Sequence, residues 1–141
     1  MENLKLHVKS SFRTEMFAAG LYSTLAGQYG RKDSALYHKL KEASEQEHKH
    51  GRMFNQFFKN RFNENAGSEK LWVFIGKFAG FVIRPVPLKK KLRSLADKES
   101  AAVTRIEERL KYDGDPSYLK ILSHILPDEK SHAAIYDGIF A

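Results

Sequence analysis

Two short runs carry the residues most able to do chemistry. One is Glu45-Gln46-Glu47-His48-Lys49-His50, the other Glu129-Lys130-Ser131-His132. Both contain Glu-x-x-His. On a helix, residues three apart stand on one face about a turn apart, so a carboxylate and an imidazole can reach one metal ion. Two such pairs, joined by two more inward-facing carboxylates, make the ligand set of a di-iron or di-manganese site in a four-helix bundle. Carboxylate-rich sites with one imidazole per metal suit Fe(II) and Mn(II).

The first run holds two overlapping matches, Glu45/His48 and Glu47/His50. The hydrophobic stripe separates them. Leu36, Leu40 and Ala43, then Phe54 and Phe57, follow a 4-3 spacing that passes through Glu47 and His50. Glu45 and His48 fall off the stripe, at its edge or in solvent. Near the C-terminus, Tyr118, Leu122, Ile125, Glu129, His132, Tyr136 and Ile139 form one continuous 4-3 stripe. A charge on a buried stripe is costly unless it is paired or binds metal.

The elements that must position these groups are helices. The first is expected over about Leu4–Tyr29, with Val8, Phe12, Glu15, Ala19, Tyr22 and Ala26 as its stripe and Glu15 as the one charge on it. Gly27 and Gly30 are expected to end it, and Asp33 with Ser34 to cap the next. The second helix spans about Ser34–Phe62, and 63–68 is a loop. Leu71–Ile83 is apolar nearly all round, too short to span a bilayer, and is closed by Pro85 and Pro87. It reads as a crossover with a short extra helix over one end of the core, or as a dimer contact. A membrane-surface contact is the weaker reading, prompted by Arg84 and Lys89-Lys90-Lys91.

A further helix is expected over about Leu88–Tyr112, its stripe being Leu88, Leu92, Leu95, Glu99, Ala102 and Ile106. Asp113-Gly114-Asp115-Pro116 makes a turn, with Asp115 as N-cap and Pro116 in the first helical position. Pro127 lies inside the last helix, where it should kink the chain or leave the Ser123 carbonyl unsatisfied. Glu15 precedes Glu47 by 32 residues and Glu99 precedes Glu129 by 30. The chain thus repeats a helical hairpin, each copy giving Glu and then Glu-x-x-His. A pseudo-twofold arrangement would bring the two ligand sets together. The plain alternative is that the six are satisfied polar groups in a core without metal.

Composition sets the remaining bounds. A chain of 141 residues with 42% hydrophobic residues suits a single domain over 1–141. The absence of cysteine excludes disulfides, thiolate metal sites and thiol catalysis. No signal peptide is evident, so a cytoplasmic location is expected. The net charge of +7 is spread over several helices and reads as a solvated surface, with no nucleic-acid partner.

The chain resembles the ferritin-like superfamily and, within it, the rubrerythrin-like (erythrin) group. The resemblance covers nearly the whole chain. It rests on Glu15 with Ala18 and Tyr22, on Ala43 through Glu47, His50 and Phe54, on Glu99 with Ala102, and on Asp128-Glu129 with His132. It implies an all-α, ferritin-like four-helix bundle with a long crossover. It further implies that Glu15, Glu47, His50, Glu99, Glu129 and His132 are ligands of two iron ions, with manganese as the alternative metal. Glu47 and Glu129 would bridge. Tyr22, two turns after Glu15, reads by its position either as a hydrogen-bonding residue behind the ligands or as a plain core tyrosine. The expected activity is reduction of hydrogen peroxide or oxygen. Rubrerythrins proper carry a rubredoxin with four cysteines and an extra Glu where this chain has Ala102, so the electrons are expected from a separate donor protein. An iron-binding storage or sensing module with ferroxidase activity is the alternative. A second alternative, by similarity of the ligand pattern and the apolar stretch to demethoxyubiquinone hydroxylases, is quinone hydroxylation at a membrane surface. A homodimer is the expected assembly.

Overall fold

The computed structural model describes residues 2–111 and 114–135. Among these residues five helices run in order: α1 (Glu2–Tyr29), α2 (Ser34–Phe62), α3 (Glu69–Val82), α4 (Leu88–Leu110) and α5 (Pro116–Ile135). Among the described residues there is no strand. The chain is all-α, and two long helices, a short crossover helix and two further long helices are the ferritin-like order expected of it. Its contacts divide into two compact units, the break falling after Arg84. Each unit holds one copy of the repeat. No helix among the described residues is long and apolar enough to cross a membrane.

In the first unit α1 packs on both α2 and α3. The predicted stripe of α1 is buried from Val8 to Ala26, and Met16, Leu21 and Leu25 are buried beside it. α1 serves two partners through two faces: Met16 lies against Gly51 of α2, whereas Gly20, Leu21, Thr24 and Gln28 meet α3. The helix ends at Tyr29, as expected, just before Gly30. The chain reverses just after, where the Lys32 and Asp33 amides both donate to the Tyr29 carbonyl at 3.1 Å. Asp33 then caps α2, its carboxylate accepting from the Leu36 amide at 3.0 Å, a contact worth about 1 kcal/mol. At the far end Asn63 takes a left-handed conformation (φ 55°) and closes α2. Asn55 accepts from the Ala66 amide at 2.8 Å and holds the loop against the helix.

α3 runs alongside α1 in the same direction. Glycines set how close the two come. A Cβ on Gly20 would lie 2.0 Å from the Val73 carbonyl oxygen, and one on Gly76 would lie 2.0 Å from that of Phe17. Thr24 Oγ1 donates to the Lys77 carbonyl at 3.1 Å, and Gln28 Nε2 donates to that of Gly80 at 3.3 Å. Replacing Gly76 by alanine must push two backbones apart, with no flexible side chain to give way. We expect a loss of about 2–3 kcal/mol, read from the urea midpoint, at the costly end of overpacked sites.

Glu69, in the first turn of α3, straps that helix to α2. Its carboxylate lies 2.5 Å from His48 Nε2 and 3.0 Å from Arg52 Nη2. The hydrogen bond from Arg52, helped by His48, holds the Glu69 carboxyl below its ordinary value against the opposing effect of burial. A depressed carboxyl adds stability above its unfolded pKa and loses it as the pH falls through the folded one. Glu69→Gln should therefore cost less than about 1 kcal/mol near neutral pH, because the strap is half exposed. The gap should close below the usual glutamate range of about 4.3, as denaturant titrations near pH 7 and near pH 3 would reveal.

In the second unit α4 packs on α5. Leu92, Leu95 and Glu99 are buried as expected, while Ala102 and Ile106 are half-buried. Lys91 is also buried, unlike its neighbours Lys89 and Lys90, so the basic cluster is not one solvated patch. Asp115 caps α5, accepting from the amides of Ser117 (3.0 Å) and Tyr118 (3.1 Å), and Pro116 opens the helix. α5 continues through Pro127 to Ile135. The turn residue Asp113, the helix end at Tyr112, and Tyr136 and Ile139 of the last stripe lie outside the described residues.

Candidate metal centre

The stripes converge on one acidic trio in each unit. In the first, α1 supplies Glu15 and α2 supplies Glu47 and His50. Glu47 and His50 are 3% and 1% exposed, and Glu15 is 9% exposed. His50 Nδ1 faces two carboxylates, with Glu15 Oε2 at 3.7 Å and Glu47 Oε1 at 3.8 Å. In the second unit α4 supplies Glu99 and α5 supplies Glu129 and His132, all three buried. His132 Nδ1 lies 3.8 Å from Glu99 Oε2. Within each trio every residue offers a donor atom within 4.8 Å of the others. The discarded pair behaves as the stripe required: Glu45 is exposed, and half-buried His48 is engaged with Glu69.

These separations fit metal donors better than direct bonds. At 3.7–3.8 Å, the pairs His50 Nδ1 with Glu15 and Glu47, and His132 Nδ1 with Glu99, are beyond hydrogen-bond length. Two donors each about 2.1 Å from a shared ion stand about 3–4 Å apart. Glu15 Oε2 is buried and makes no hydrogen bond, which is expensive for a carboxylate that has nothing to ligate. Two carboxylates with one imidazole form a hard, oxygen-rich set, suited to Fe(II) or Mn(II).

Side chains that the stripes did not single out hold the first trio in place. Ser44 Oγ donates to the Ala19 carbonyl at 2.6 Å, fastening α2 to α1 about one turn from both Glu47 and Glu15. Gly51, next to His50, makes room for Met16, next to Glu15: a Cβ there would come within 2.6 Å of Met16 Cε. A glycine in mid-helix costs about 1 kcal/mol, and that cost was the one sequence signal that something must fit beside it. Tyr22, two turns beyond Glu15, is fully buried on the same stripe.

The family model described as Rubrerythrin matches residues 7–140. A search of curated proteins and a search of solved structures each return no match.

Proposed function

The chain belongs to the rubrerythrin family, and on that premise we propose that its six buried ligands hold two iron ions in one domain. The protein then reduces hydrogen peroxide or oxygen with electrons from a separate donor. The observation behind this reading is that each unit buries two glutamates and a histidine with their donor atoms inside ligating reach of one another. Glu15 and His50 would hold one ion, Glu99 and His132 would hold the other, and Glu47 and Glu129 would be shared between them.

When bound, a pair of such ions supplies the two electrons that cleavage of an O–O bond requires. The residues of this chain do the rest. Four carboxylates offset the charge of two divalent ions, which makes a buried pair tolerable. The imidazoles present Nδ1 to the carboxylates. In the first unit Phe12 and Phe54, both essentially buried on the ligand stripes, keep the surroundings apolar and dry. Tyr22 is the residue assigned to steady the ligands from behind.

The test is peroxide consumption by anaerobically prepared, iron-loaded protein in the presence of a chemical reductant. Many turnovers per chain are expected. A single stoichiometric oxidation that then stops would instead establish an iron-storage or sensing role.

A further inference from the structure

The metal reading leaves one prominent surface without a use, the outer face of α3. Leu71, Phe74, Phe78, Phe81 and Val82 follow helical spacing there and are 52–65% exposed. The three phenylalanines alone present on the order of 400 Å² of apolar surface, already the size of patches that mark interaction sites. The helix cannot roll them inward. Its opposite face is pinned to α1 by backbone contact at Gly20 and Gly76, and by the Thr24 and Gln28 hydrogen bonds.

Charge says what covers this face. Lys70, Lys77 and Arg84 recur every seventh residue and are all exposed. Residues seven apart drift by only about 20° around a helix, so Lys70 and Lys77 form a basic rail along one edge of the apolar strip, with Arg84 just past the helix end. The one acid on α3, Glu69, is occupied by His48 and Arg52. A second copy seated on this face would bring two basic rails into one contact, in a chain of net charge +7. An anionic bilayer supplies the opposite charge and an apolar layer beneath it. The 14 residues of α3 reach about 21 Å, too short to span but suited to lying flat.

We propose that the outer face of α3 docks on an anionic lipid surface, with Phe74, Phe78 and Phe81 at the acyl boundary and Lys70, Lys77 and Arg84 on the phosphates. The proposal is independent of the metal chemistry, because α3 carries none of the six ligands.

Vesicle flotation of the full chain, metal-loaded and metal-free, tests it. The chain should float with vesicles containing about one-third phosphatidylglycerol, and far less with pure phosphatidylcholine. Lys70→Gln with Lys77→Gln should weaken binding about 25-fold, at about fivefold per charge. Phe74→Ser with Phe78→Ser should abolish it. Unchanged helicity and metal content show that each variant is folded. The proposal is overturned if nothing floats, or if both vesicle types bind equally and the lysines do not matter. It is also overturned if light scattering finds a dimer that the serine variant splits while neither protein binds lipid.

Discussion

Glu47→Gln and Glu129→Gln should each empty the site of both ions, while Glu15→Gln should release only one. Glutamine keeps the shape of the side chain and removes its charge, so the comparison separates ligation from folding. Losing a group that merely supports a ligand costs about 10–100-fold in metal affinity, so losing a ligand itself should exceed 100-fold. A shared carboxylate counts against both ions, whereas a carboxylate serving one ion counts against that ion alone. Elemental mass spectrometry on anaerobically purified protein decides it. About two ions per chain are expected in the parent, about one in Glu15→Gln and Glu99→Gln, and close to none in the two shared-ligand variants. Two ions retained in Glu47→Gln would overturn the assignment of the bridging pair. No metal in the parent would leave a helical bundle whose buried acids serve some other purpose.

Metal removal should destabilise the fold more than any surface change. The six proposed ligands are buried, and a buried carboxylate cluster is costly without a cation to organise it. An ion present at about a thousand times its dissociation constant adds about 4 kcal/mol to the folded state. For a chain of this length that is about 10 °C in Tm. Chelation should therefore lower Tm by about that amount, and re-addition of Fe(II) or Mn(II) under anaerobic conditions should restore it. The order should invert in Glu47→Leu, which replaces an acid with an apolar side chain of similar volume. Its metal-free form should melt above the metal-free parent, and its response to metal should be lost. Calorimetry on the four samples checks both signs. Identical melting of the metal-loaded and metal-free parent would show that the ions contribute nothing to the fold.

Much of this was legible in the residues themselves. The 4-3 spacing placed Glu15, Glu47, His50, Glu99, Glu129 and His132 on core stripes, and all six are buried. It also told Glu47/His50 from Glu45/His48, because a register error of two residues turns a side chain by more than half a helical circle. Asp33 and Asp115 cap the helices they were expected to cap. Caps and stripes are local, decided by side chains within a few residues of each other along the chain.

What the sequence withheld depends on which helix lies against which. Periodicity names the buried face of a helix but not its partner, so nothing local put α3 alongside α1 or left its phenylalanines exposed. Gly76 and Gly80 form a Gly-x-x-x-Gly spacing, only a weak signal in so short a stretch, and nothing in the sequence named Gly20 as the place where the two backbones meet. Lys91 belonged to a basic run by sequence and is buried in fact. The chain by itself determined its helices, their inward faces and the residues able to ligate a metal. Only the tertiary structure decided how closely α1, α2 and α3 approach, because that distance is set by pairs such as Gly76 with Phe17 and Gly51 with Met16, which stand far apart in sequence.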